Sequence, residues 1–246
     1  MRKIVLFTLI LALLSIAGVN MIAAQDATAL EFGQYVEGEI TSNDYEFRYT
    51  FTASAGDVVS VEMFPKPGTY DIDGYIFLRD PDGDVVAEND DYGYPLSLVV
   101  AELPADGEYT VIATRSGGST GSSEGEYWLR VSQVEIVEPG SSVEAAITSN
   151  YDEELPNLFY LKPEASGPVN ITFAQEVGDL FGSLEVSGWD EYGKVTFANL
   201  DNTAKVSTAT ITLDLEAGEF YVLNVARSFG SYVFDEVEAV ITLTVE

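Results

Sequence analysis

The chain has 246 residues, with 41 acidic against 11 basic side chains, no histidine, no cysteine and a formal charge of -30 at neutral pH. That composition excludes a Ser-His-Asp triad, a thiol nucleophile, a Cys/His zinc site and a disulfide framework. It also argues against nucleic acid as a partner, since phosphate is neutralised by clustered Lys and Arg.

In chain order, Arg2 and Lys3 precede an almost unbroken apolar run from Ile4 to Val19, and small residues Ala23 and Ala24 stand before Gln25. This is the layout of a secretory signal peptide over residues 1–24. The run is shorter than the ~20 residues a spanning helix needs, so the mature chain is expected to be exported and free of the membrane once cleaved. Without cysteine, its stability must come from packing or from a metal.

From residue 25 the period is two. Tyr45, Phe47, Tyr49 and Phe51 alternate with Glu46, Arg48 and Thr50, and Val59, Val61 and Met63 repeat the pattern. Tyr75-Ile76-Phe77-Leu78-Arg79, Tyr109 to Ala113 and Tyr127 to Val131 follow, with Trp128 read as core. Turn signals separate them at Ala55-Gly56-Asp57, Pro81-Asp82-Gly83, Ala105-Asp106-Gly107 and Gly117-Gly118. Short alternating strands punctuated this way predict an all-β, jelly-roll-like sandwich.

Eight carboxylates crowd into the stretch from Asp71 to Asp91. Asp80-Pro81-Asp82-Gly83-Asp84 is not an EF-hand, because Val85 stands where that loop needs glycine; it reads as a hairpin turn. The better metal ligands are Asp71 and Asp73 before one strand, and Asp90 and Asp91 after the next. A hairpin between them would bring all four to one end of the sandwich, and only oxygen donors are available, which suits calcium. The alternative is a set of solvated loop acids. Tyr70, Tyr92 and Tyr94 flank these loops and offer a surface for an extracellular polysaccharide or protein, while Tyr75 is equally readable as core.

The second half echoes the first. Gly38-Glu39-Ile40-Thr41-Ser42-Asn43 is matched by Ala145 to Asn150, and Leu103 to Tyr109 by Leu215 to Phe220. Gly83 and Asn89 align with Gly193 and Asn199 at an offset of 110. A large constant offset signals duplication of a whole domain, giving units over 25–132 and 133–246. At that offset only Asp201, opposite Asp91, preserves an acid of the candidate metal set. Further strands are expected at Asn170 to Phe173, Phe220 to Val225 and Val240 to Val245. Trp189 is read as core, and the Asn170-Ile171-Thr172 sequon lies inside a strand.

The first unit resembles the bacterial pre-peptidase C-terminal domain family. The residues that carry the resemblance are Gly38-Glu39-Ile40-Thr41, Asp44 to Tyr49, Leu78 to Gly83, Asn89-Asp90-Asp91, Leu103 to Val111 and Gly125 to Leu129. The second unit matches in outline, as a diverged copy. The resemblance implies small secreted β-sandwiches, often appended to extracellular peptidases and themselves non-catalytic; some collagen-binding relatives bind calcium and use exposed tyrosines. Paired carboxylates are the one acid–base chemistry left to the chain, and no deep cleft for them is expected, so it is read as no enzyme. The competing reading is an acidic surface or matrix protein without a metal or ligand site.

Overall fold

The computed structural model describes residues 27–66, 72–90, 97–148, 157–175, 182–190, 193–201, 207–228 and 238–246. Residues 1–24 and the candidates Tyr70, Asp71, Asp91, Tyr92 and Tyr94 lie outside them. The described residues form an all-β protein whose single helical element is a short 3-10 turn at Gly118–Thr120.

Nine strands come from the first half: β1 (Thr28–Ala29), β2 (Tyr35–Ile40), β3 (Glu46–Ala53), β4 (Val58–Pro65), β5 (Gly74–Arg79), β6 (Val85–Asn89), β7 (Ser97–Glu102), β8 (Gly107–Arg115) and β9 (Gly125–Gln133). Nine follow in the second: β10 (Glu135–Ile136), β11 (Ser142–Thr148), β12 (Asn157–Leu161), β13 (Gly167–Gln175), β14 (Gly182–Asp190), β15 (Gly193–Asp201), β16 (Thr208–Leu215), β17 (Tyr221–Arg227) and β18 (Glu238–Val245). They pair as β1-β3-β8-β5-β6 facing β2-β9-β4-β7, and as β10-β12-β17-β14-β15 facing β11-β18-β13-β16. Adding nine to each label of the first pair of sheets yields the second.

Alternation fills each sandwich. Val59, Val61, Ile76, Leu78, Val99, Val111, Leu129 and Val131 meet in one core, and Ile171, Phe173, Leu184, Val186, Leu223, Val225, Ile241 and Leu243 in the other. A tyrosine ties the same corner in each half. Tyr109 Oη donates to the Ala105 carbonyl and accepts from its N–H, and Tyr221 Oη accepts from the Glu216 N–H.

The ladders refine the alignment of the halves. Phe47 and Asn157 hold equivalent places 110 apart, but Ile76 and Leu184 are 108 apart, Asn89 and Leu200 are 111 apart, and Tyr109 and Tyr221 are 112 apart. Loop lengths differ, so a fixed offset drifts. Asp201 therefore stands opposite Asp90, not Asp91, and Asn89 faces Leu200 in place of Asn199. Both hairpins bulge at the same step, after Leu78 and after Val186.

A third apolar cluster joins the two halves. Val58, Leu98 and Val100 from the first pack against Leu158, Tyr160 and Val222 from the second, with Val134 of the connecting segment and Phe220 beside them. The chain between is bonded on both sides: the Val134 N–H donates to the Val58 carbonyl and the Val137 N–H to that of Tyr160. Across the same contact Lys162 Nζ meets Glu102 Oε2 at 2.6 Å, and Tyr160 Oη donates to that oxygen at 3.2 Å. The lysine holds the Glu102 carboxyl below its usual range. A cleft of about 520 Å³ runs beside it, with Val100, Leu103, Tyr160 and Phe220 in its walls.

Candidate functional site

The hairpin β5–β6 turns at Asp80 to Asp84. Gly83 takes φ of 91°, a left-handed conformation that a side chain disfavours, and Asp80 Oδ1 accepts from the N–H groups of Asp82 and Asp84. Arg79 Nη1 donates to the Gly83 carbonyl. Asp80 thus serves its own turn. The hairpin sets Asp73 and Asp90 at one end of the sandwich, where both meet Ser116, the residue after β8. The Ser116 N–H donates to the Asp73 carbonyl at 2.9 Å, and its hydroxyl to Asp90 Oδ2 at 3.4 Å.

Two described carboxylates do not make a calcium shell, which takes six to eight oxygens. Among the described residues no group of three acidic side chains is placed to hold a metal ion. The same end also carries Arg115, which is buried, donates to the carbonyls of Thr41, Gly118 and Ser123, and lies over the Tyr45 ring. Tyr75 faces outward from β5, stacked on Phe77 at 4.3 Å, and is not core. Burial with Glu88 and Asp90 nearby pushes its hydroxyl up to about 12.

A second aromatic group, not anticipated from the sequence, lies on the outer face of the sheet β2-β9-β4-β7. Register places Glu37, Trp128 and Phe64 in one row, and Tyr35, Arg130, Glu62 and Leu98 in the next. Core residues Tyr127, Leu129 and Val131 point the other way, so Trp128 faces outward and is only partly covered. The rings of Tyr35, Phe64 and Trp128 stand 5.6 Å apart in all three pairs. Trp128 Nε1 donates to Glu37 Oε1 at 3.2 Å, and Lys66 Nζ meets Glu37 at 3.0 Å and Glu126 at 3.5 Å. The hydrogen bond from Lys66, then that from Trp128, lowers the Glu37 carboxyl.

Beneath this row Arg130 donates through Nε and Nη2 to Glu62 Oε2, at 3.2 and 2.7 Å, and its guanidinium lies 5.1 Å from the Tyr35 ring centre. Glu62 is 1% exposed, and burial raises its carboxyl against the opposing pull of Arg130. Burial likewise lifts the Tyr35 hydroxyl to about 12. The arrangement holds three rings and two sets of ion pairs against one another on a single face.

Residues 45–115 match the model of the bacterial pre-peptidase C-terminal domain, covering β3 to β8. No curated protein matches the chain. Among solved structures, the pre-peptidase C-terminal domain of a Bacillus anthracis collagenase is 15% identical with a TM-score of 0.37, over 44% of this chain and 96% of its own. CorA, a surface-associated copper-binding protein of Methylomicrobium album BG8, is 11% identical with a TM-score of 0.31, over 46% and 98%. A Eubacterium rectale protein described as secreted is 12% identical with a TM-score of 0.30, over 88% and 78%.

Proposed function

We propose that the chain is an exported, non-catalytic β-sandwich protein that works outside the cell as a binding or accessory module. In this reading it is built from a pre-peptidase C-terminal domain and a diverged second copy. The observation that carries it is the match of residues 45–115 to that family, laid over six successive strands of the first sandwich. The strand order repeated after nine strands supports the second copy. The basic, apolar and small-residue segments of residues 1–24 support export. The partner is an extracellular polysaccharide or protein.

Expression in a bacterial host with and without residues 1–24 tests this. The intact chain is expected outside the cytoplasm and the truncated chain inside it. Equal cytoplasmic retention of both would remove the reading.

Calcium at the end marked by Asp73 and Asp90 is a finer part of the same proposal, and it depends on Asp71 and Asp91 to complete the oxygen shell. An ion that binds the native state raises its melting temperature by mass action. Melting with calcium and with chelator is expected to differ, and Asp90→Asn with Asp91→Asn to abolish the difference. Identical melting curves would dismiss the ion.

A further inference from the structure

We infer that the outer face carrying Tyr35, Phe64 and Trp128 is a platform for an uncharged saccharide. This rests on the reading of the chain as an extracellular binding module and names its ligand class and place.

The first ground is an internal comparison. Strand order makes β11-β18-β13-β16 the counterpart of β2-β9-β4-β7. There the outer face is a ladder of small polar groups: Ser142 bonds Thr244, Thr172 bonds Thr210, and Thr212 donates to Asn170. The fold is thus built once with hydroxyls and amides on this face and once with three aromatic rings. The second sandwich covers this face of the first at Leu98 and Val100, and Tyr35, Phe64 and Trp128 lie on the part left partly exposed beside it; an aromatic cluster there that the architecture does not require points to a ligand.

The second ground is the form of the cluster. Tyr35 and Trp128 each meet the edge or face of Phe64 at close to a right angle (89° and 88°), so the three rings brace one another. Glu37 fixes the indole through Nε1, and Arg130 covers one side of Tyr35. Rings held this way lose little freedom when a ligand settles on them. A pyranose presents a C–H face to such a surface and a girdle of hydroxyls to its surroundings.

The third ground is charge. Lys66 lies between Glu37 and Glu126, and Arg130 is taken up by Glu62, so each base is matched by acids within the patch. The rim offers fixed donors and acceptors without surplus positive charge, on a chain of -30. A polyanion is repelled by such a surface, and a hydroxyl-rich neutral polymer is not. The cleft between the sandwiches sets Val100, Leu103 and Phe220 beside Glu88, Glu102 and Lys162, and nothing in that lining specifies an occupant.

The test is affinity gel electrophoresis of the chain from Gln25 in hydroxyethylcellulose, barley β-glucan, xylan and soluble starch, with heparin as the polyanion. At least one neutral polymer is expected to retard the protein. Trp128→Ala and Tyr35→Ala are expected to weaken that retardation about tenfold or more in dissociation constant, and Trp128→Phe less. Phe197→Ala, on the second sandwich, should leave it unchanged. With Trp189→Phe, emission from Trp128 alone should shift when polymer is added. Four results would overturn the assignment: no retardation by any neutral polymer, retardation by heparin alone, full retardation of a Trp128→Ala protein that melts like the parent, or displacement of bound polymer by an extended peptide that competes for Trp128. Export is read separately from the protein's location, so a negative gel retires the platform without retiring the exported module.

Discussion

Leu98→Asp is a sharp probe of how the two sandwiches are joined. Leu98 is fully buried, yet it points out of its own sandwich and into the third cluster with Val58, Val100, Val134, Leu158, Tyr160 and Val222. Each such side chain contributes about 1.5–3 kcal/mol when removed from water. Three from the first half (Val58, Leu98 and Val100) then give about 5–9 kcal/mol gross, of which ordering and desolvation leave a few kcal/mol as coupling. An aspartate at position 98 cannot stay in that contact, because an unpaired buried charge costs more than the coupling supplies. Since it faces away from the inner core, the first sandwich should fold with the new carboxylate in water.

The two tryptophans permit the assay. Trp128 lies on β9 and Trp189 on β14, so Trp189→Phe and Trp128→Phe each leave one reporter, one per half. In urea both reporters of the parent should show one midpoint, as a single cooperative unit does. Adding Leu98→Asp should separate the midpoints while both transitions remain. If the parent's reporters already differ, and Leu98→Asp moves neither, the third cluster does not couple the halves and the reasoning fails.

Further expectations follow from single contacts. Gly38 faces Tyr127 across β2 and β9, and a Cβ there would overlap the phenol ring, so Gly38→Ala should cost about 1–3 kcal/mol by thermal melting. Arg130→Met would strand the buried Glu62 carboxylate and cost about 3–5 kcal/mol near neutral pH. That loss should shrink on acidification, because a carboxyl raised by burial favours the protonated folded state; a pH-independent loss would contradict it. Glu102 titrates in the opposite sense. Its lowered carboxyl contributes above the ordinary carboxylate pKa and loses the contribution as pH falls through its folded value. The two reporters should therefore separate more readily in acid, with Glu102→Gln removing that trend.

Much of the architecture was legible because one face of strands such as β3, β5 and β9 is at least partly wet. Phe47, Tyr49 and Phe51 against Glu46, Arg48 and Thr50 leave no doubt about a strand, and the glycine turns mark its neighbours. Trp128 was misread because Tyr127-Trp128-Leu129 is apolar throughout, so alternation by itself does not tell which parity faces in. Its outward parity was nevertheless written in Glu126 and Arg130, two residues to either side. Leu98 to Ala101 carried a different signal. An unbroken apolar run in a sandwich strand means both faces are covered, here by its own core and by the neighbouring sandwich. The fixed offset of 110 misplaced Asp201 for a plainer reason: hairpins of unequal length shift every position that follows them.

Export with removal of residues 1–24 is tested by the mass of the protein collected from a culture. The expected result is a folded extracellular species whose first residue is Gln25. A full-length species beginning at Met1 and confined to the cytoplasm would contradict it.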